Sequence, residues 1–322
     1  MFISYSFYSY YLCDICYLNI YLFSIISDNK IKFKLIWSVK KKMFGYIILR
    51  DLPKNLVQLD LLYFPIKGGF RGFSDVSPGP HYISIKVNDE MHEGFWCWVE
   101  PGEAIIKVFD YEKNMFKDDE PENEAHFKKL AASKAMNHAL IPVTFPNFKS
   151  VSFWQKLTGN IRSYNFPPEL HKEVPMTLPL DINPDEISDW YINKFKSRFE
   201  QAFNDTHENN IQAFLEEFEF AFLKYFVRQK DENALDRWMH LIQAVYNAGE
   251  NGVEAAPELF INFIYVLKNQ FDLLKIEDLQ PDTKLIAGVN KIIEDMRDVG
   301  TDMLKEKAQI FESYLINRGV KI

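Results

Sequence analysis

Residues 43–110 carry their apolar positions in short runs with the period of two expected of strands. FGYIILR (44–50) and VQLDLLYF (57–64) have strand composition, and HYISIKV (81–87) alternates, with His81, Ile83, Ile85 and Val87 on one face. GFWCWV (94–99) and AIIKVFD (104–110) flank Glu100-Pro101-Gly102-Glu103. Pro followed by Gly is strong turn chemistry, so this pair is read as a hairpin. Residues 67–80, KGGFRGFSDVSPGP, hold four Gly and two Pro and are read as a loop with several special backbone positions. The acidic run 111–122 is read as a solvated loop.

Helical spacing follows. A helix is predicted over 122–140, with Phe127, Leu130, Ala131 and Ala135 near one face. A short second helix over 151–161 would bury Phe153, Trp154, Leu157 and Ile161. Pro167, Pro168, Pro175 and Pro179 mark residues 163–182 as an extended connection. Asn183 then reads as an N-cap ahead of Pro184. Ile187, Tyr191, Phe195, Phe199 and Phe203 recur every four residues. Residues 211–227 are apolar nearly all round, which predicts a buried central helix. A helix over 233–248 would bury Leu235, Trp238, Leu241, Ile242 and Val245 and stop at Gly249. Pro257 starts another, and 283–299 and 301–318 complete the set. The fold class is therefore α+β: a β-rich, sandwich-like N-terminal domain (43–162), a Pro-rich linker (163–182) and a helical C-terminal domain (183–322).

Charge narrows the partners. The chain has 322 residues and a net charge of −8, with 37 Lys and Arg against 45 Asp and Glu. Residues 1–42 hold six Lys against Asp14 and Asp28, so the acidity lies in the remainder. An acidic body disfavours direct nucleic-acid binding, which needs clustered Lys and Arg. Residues 2–26 are long enough to span a bilayer and contain one charge, Asp14. They lack the basic start and the cleavage site of a secretory signal, and six Tyr make them a poor apolar span. The leader 1–42 is read as non-native or disordered, with Met43 as the start; a real leader would imply a membrane anchor. The three Cys (13, 16 and 97) cannot make a disulfide framework.

Catalytic chemistry is thin. Gly68-Gly69-x-x-Gly72 lacks the Lys-Ser/Thr of a phosphate loop and is read as turn geometry. His81, His92 and Cys97 fall within a short span, and three ligands suffice for catalytic zinc, but a shared face and register would be needed. Glu216, Glu217 and Glu219 are read as an ordinary solvated helix face, and the sequon Asn204-Asp205-Thr206 matters only in a secreted chain. No catalytic, metal or cofactor residues are assigned. The default is a protein that works through its surfaces.

The string Asp60-Leu61-Leu62-Tyr63-Phe64-Pro65-Ile66-Lys67-Gly68-Gly69-Phe70-Arg71-Gly72-Phe73-Ser74-Asp75-Val76-Ser77-Pro78-Gly79-Pro80-His81-Tyr82 resembles the signature of the Aar-two family, the A-one cistron splicing factors. Gly94-Phe95-Trp96, the segment 148–161 with Trp154-x-x-Leu157-Thr158, residues 217–222 and Trp238-x-x-Leu241-Ile242 extend the resemblance over about 43–318. The family's Gly-Pro reads Gly68-Gly69 here, and its Pro-Pro-Gly reads Ser77-Pro78-Gly79. The resemblance implies a β-rich first domain and an all-α second domain similar to VHS modules. It also implies a non-enzymatic role in assembling the U-five small nuclear ribonucleoprotein for pre-mRNA splicing. The implied partner is the Prp-eight scaffold, held through its RNase-H-like and Jab/MPN domains, with the spliceosomal helicase excluded until maturation. A cytoplasmic and nuclear monomer is expected.

Phe70, Arg71, Gly72, Pro78, Gly79 and His81 are the candidate partner-binding or loop-structural residues, with Arg71 favoured for contact. Two other classes stay open. One is a generic two-domain adaptor of the same fold, required if the source has no spliceosome. The other is a metal-dependent enzyme using His81, His92 and Cys97.

Overall fold

A computed structural model describes residues 44–53, 56–87, 92–162, 182–190, 199–228 and 231–322. The expectations for the leader, Met43, Cys13, Cys16, Tyr191, Phe195 and nearly all of the Pro-rich connection lie outside those residues. Among the described residues, strands form two sheets. The first has the order β8 (Met115–Asp118), β7 (Ala104–Asp110), β1 (Gly45–Arg50), β4 (Gly72–Val76), β9 (Leu140–Pro142). The second has the order β3 (Leu62–Pro65), β2 (Leu56–Leu59), β5 (Gly79–Lys86), β6 (His92–Val99).

Alternation along β5 decides what each face meets. Ile83 and Ile85 point inward with Cys97 and Val99 of β6, against Ile47, Leu49 and Phe73 of the first sheet. The opposite face carries Tyr82, with Trp96 and Trp98 of β6, and meets the helices. Trp96 stacks on Trp154 at 6.2 Å and meets Phe220 edge-on at 5.1 Å. This is why β5 is buried on both faces. The far side of the first sheet is covered by α1 (Pro121–Ser133) through Ala131, Phe127 and Leu130.

Several boundaries differ from the sequence reading. Residues 57–64 are two strands, because the chain reverses at Asp60, whose φ of 55° is left-handed. Residues 94–99 and 104–110 are not a hairpin: β6 pairs with β5, whereas β7 pairs in parallel with β1 and antiparallel with β8. The Pro101-Gly102 turn is real, with Glu103 N–H donating to Glu100 O, but it carries the chain from one sheet to the other. Tyr46 N–H donates to Glu103 O, and the β1 ladder takes over from there. The string 67–80 contains β4, and the acidic run contains β8, drawn in by Phe116 against Phe95 and Phe109.

The helix predicted over 122–140 ends at Ser133. Lys134 takes a left-handed φ of 64° and its N–H caps the carbonyls of Leu130 and Ala131. A short 3-10 turn (Asn137–Ala139) then leads into β9. The next helical segment, α2 (Thr144–Leu157), is broken near its start, where Phe145 and Asn147 leave helical backbone angles, and its regular part buries Trp154 and Leu157.

Gly72 shows why β4 needs its glycine. Its φ is 131°, and a Cβ there would lie 2.0 Å from the carbonyl oxygen of Ile47 on β1. Gly72→Ala is expected to cost at least about 2 kcal/mol, read as a lower urea midpoint at unchanged slope.

In the helical region, Asn183 accepts from Asp185 N–H and Pro184 opens a 3-10 turn, as the sequence indicated. Asn210 caps α3 (Ile211–Val227), and Asp231 caps α4 (Glu232–Tyr246). Then come α5 (Gly249–Ala255), α6 (Pro257–Phe271), α7 (Val289–Asp298) and α8 (Asp302–Asn317). Gly249 opens α5, after α4 has ended at Tyr246, and residues 283–288 are turns ahead of α7. As expected, α3 is central. Phe218 stacks on Phe263 at 4.8 Å, Phe222 packs on Trp238 at 4.9 Å, and Phe220 reaches the β-rich region.

Candidate functional site

The six candidate residues do not form one patch. Arg71 and Pro78 are exposed, Phe70 and Gly79 are half-buried, and Gly72 and His81 are buried. They divide between two turns at opposite ends of β4. At one end, Phe70 N–H donates to Lys67 O across Gly68-Gly69, and Gly69 takes the φ of 88° that such a turn requires. Phe70 turns edge-on to Phe73 at 5.4 Å. The Arg71 backbone is held on both sides, donating to Ala139 O and accepting from Leu49 N–H.

At the other end His81 organises the interior. Its Nδ1 lies 2.7 Å from Asp60 Oδ2, and its Nε2 lies 2.7 Å from Ser77 O. The Ser77 hydroxyl is 3.5 Å from Nε2. Asp60 Oδ1 also accepts from Tyr82 N–H at 2.9 Å. Asp60, His81 and Ser77 have the order of an acyl-transfer triad but not its geometry. Nε2 donates to the serine's own carbonyl, so it has no lone pair free for the hydroxyl. All three residues are buried. A carbonyl accepts at Nε2 and a carboxyl oxygen meets Nδ1, so the pair holds one proton more than neutral imidazole plus carboxylate. Burial alone would lower the His81 pKa, but the Asp60 carboxylate and the Ser77 carbonyl outweigh it and raise it. The network ties the β2–β3 turn to the start of β5.

The zinc reading meets a mixed geometry. His81 and Cys97 are cross-strand partners on one face, as zinc would require. His92, however, pairs with Lys86 at the far end of the ladder, and both His81 nitrogens are engaged. Burial pushes the Cys97 thiol far above its ordinary range, where it is neither nucleophile nor ready ligand. Among the described residues no group of three His, Cys, Asp or Glu is placed to hold a metal ion.

The glutamates of α3 overturn the reading of a solvated face. Glu217 and Glu219 are buried. Arg237 on α4 grips Glu217 with two bonds, Nε to Oε1 at 2.7 Å and Nη2 to Oε2 at 2.9 Å. His207 Nε2 meets the same carboxylate at 2.6 Å, and its Nδ1 bonds Ala202 O. Burial would raise the Glu217 pKa; the bonds from His207 and Arg237 overcome it and hold the value at about 2.

Glu219 joins the helical region to the exit of α2. It accepts from Asn160 N–H at 2.8 Å and from Asn160 Nδ2 at 2.7 Å. Gln212 Nε2 donates to Asn160 O, and Arg162 N–H donates to Glu216 Oε1 at 3.3 Å. Burial outweighs the bonds from Asn160 and the charge of Arg162 and lifts the Glu219 pKa to about 8.

Residues 43–174 match the AAR2 N-terminal domain, and residues 171–319 match the AAR2 C-terminal repeat region. The chain belongs to the AAR2 family. It is 22% identical over 312 residues to the "Protein AAR2 homolog" of Caenorhabditis elegans, an alignment covering 77% of this chain and 86% of that protein. The two turns flanking β4 and the Asp60–His81 pair thus lie in the part matching the AAR2 N-terminal domain. The Glu217 and Glu219 networks lie in the part matching the C-terminal repeat region, and Asn160 bonds across to the latter.

The raised Glu219 pKa has a measurable consequence in this AAR2-family chain. The folded carboxyl keeps its proton to about pH 8, whereas the unfolded one loses it near the ordinary glutamate value of 4.5. The folded state therefore binds more protons in that window, and stability falls as pH rises through it, by up to about 1.4 kcal/mol per unit. Glu219→Gln still offers its amide oxygen to Asn160. Its unfolding free energy is expected to lose this slope and to exceed that of the unsubstituted protein at the alkaline end, as read by urea titrations across pH.

Proposed function

We propose that this protein is a non-enzymatic assembly factor of the U-five small nuclear ribonucleoprotein in pre-mRNA splicing. It binds the Prp-eight-type scaffold protein through the scaffold's RNase-H-like and Jab/MPN domains and excludes the helicase until maturation. It acts in the cytoplasm and the nucleus, as a monomer. Membership of the AAR2 family implies the splicing-related assembly role, and the family match across both halves of the chain carries this reading. The site geometry supports it. The clusters around His81, Glu217 and Glu219 are interior and engaged by their own partners, so they brace the fold and leave its surfaces to do the work. The acidic net charge of −8 suits a factor that holds an RNA-handling protein without competing for its RNA.

The test is affinity capture with the full chain from a lysate of the source cell, with partners identified by mass spectrometry. Recovery of the scaffold without the helicase is the expected result. Recovery of scaffold and helicase together overturns the exclusion, and absence of the scaffold overturns the assignment.

A further inference from the structure

A groove of about 720 Å³ opens between the Lys67–Phe70 turn and α1, beside the edge strand β9. Its floor is apolar, built by Phe127 and Leu130 of α1 and by Met136. Its rim carries Lys67, Arg71 and His138, all exposed, and no lining residue is acidic. In a chain of net charge −8, an acid-free groove with two fixed cations is a marked local reversal of sign.

Neither cation is spent on the fold. Arg71 and Lys67 are held by backbone bonds, Arg71 N–H to Ala139 O and Lys67 O from Phe70 N–H, and their side chains form no ion pair with the described residues. This contrasts with Arg50 on the neighbouring strand, which pairs with Asp119. Gly68 and Gly69 bear no side chains to fill the mouth, and a Cβ at either would meet nothing within 4 Å.

We propose that this groove docks a short acidic segment of a partner protein, with one or two large apolar side chains seated on the floor. The proposal extends the assembly-factor reading by a defined partner surface, and rests on that reading only in taking the protein to work by binding. The apolar floor supplies the affinity of anchor burial. Lys67 and Arg71 select Asp and Glu beside the anchor and repel basic segments. Two fixed cations over an apolar floor are too few for a phosphate backbone, whose binding needs many such contacts. The volume is in the range of sites that enclose a compact ligand.

The experiment uses the full chain to select from a displayed library of random short peptides. Counter-selection uses the double variant Lys67→Glu/Arg71→Glu. Both positions are exposed, and circular dichroism checks that the variant folds. The expected result is enrichment of peptides with an aromatic or aliphatic anchor flanked by Asp or Glu. A synthetic peptide of the enriched sequence is expected to bind at least about tenfold more weakly to the double variant. The same loss is expected with Leu130→Lys, and binding should weaken as salt rises from about 50 to about 300 mM.

Enrichment that survives in the double variant overturns the proposal. So does selection of acids without an apolar anchor, or single-stranded RNA bound more tightly than the peptide and released by the same variant. Selection of anchored acidic peptides by a protein that captures no spliceosomal scaffold supports the groove and overturns the assembly-factor reading, so the two fail separately.

Discussion

Arg237→Ala is expected to remove about 3–5 kcal/mol of unfolding free energy, among the largest losses a single substitution causes here. The reason is what it leaves behind. Glu217 sits on the central helix α3 and receives both Arg237 bonds and the His207 ring. Without the guanidinium, a buried carboxylate keeps one imidazole contact and must take up a proton or draw in water. Arg237→Met with Glu217→Leu is expected to lose less than the alanine variant alone, because no buried carboxylate then remains. Urea denaturation separates the two outcomes. If the double replacement is as damaging as the single, packing volume rather than the ion pair explains the loss. Acid provides a second reading. The Glu217 pKa is held at about 2, below the ordinary glutamate value of 4.5. Its contribution is therefore present above that ordinary value and lost as pH falls toward about 2. The Arg237→Ala variant should lose that acid-dependent part.

These groups also mark where sequence reading reached its limit. The helix 211–227 was legible as buried because its apolar residues run nearly all round it. The same observation contains the missed signal: on a helix with no solvated face, Glu217 and Glu219 must be buried, and buried carboxylates must find partners. Their partners lie on α4, before α3 and after α2, separations that helical spacing does not report. Helix starts at Asn183 and Pro257 were legible because capping is a local interaction. The hairpin expected over 94–110 failed for the opposite reason. Pro101-Gly102 fixes a reversal of the chain, but the parallel ladder between β1 and β7, a long-range pairing, decides which sheet the next strand joins. Likewise, the Gly/Pro string was read as one loop because glycines mark special backbone positions. Gly72 is special for another reason, the close approach of Ile47 within a strand pair. The face of His81, Ile83 and Ile85 was read correctly from alternation. The carboxylate that meets His81 was not, because Asp60 reaches it from a reversal inside a run that looked like one strand. The groove residues Phe127 and Leu130 were legible as an apolar helix face. That Lys67 and Arg71 stand over them depends on β9 pairing with β4, which nothing in the local pattern of 140–142 announces.

Asp60→Ala is expected to cost about 3–4 kcal/mol, through three losses at one position. It removes the acceptor of His81 Nδ1, leaves the buried Tyr82 N–H without its acceptor, and places alanine at a φ of 55°. Asp60→Asn separates these effects. Asparagine tolerates the left-handed backbone and its amide oxygen can still accept one of the two bonds, so its loss should be well under half of the alanine value. What asparagine cannot do is hold the shared proton. The His81 pKa is raised above the ordinary histidine value of 6.5 in the folded protein. The stability it supplies is fully present below the unfolded pKa and is lost as pH rises through the folded one, by up to about 1.4 kcal/mol per pH unit. Unfolding free energies should therefore decline above that ordinary value in the Asp60-containing protein and lose this decline in Asp60→Asn. The Glu219 slope runs in the same direction but begins at lower pH, near the ordinary glutamate value of 4.5. Asp60→Asn combined with Glu219→Gln should lose the decline in both windows. A decline of the same size in that double variant would show that another buried group carries the pH dependence.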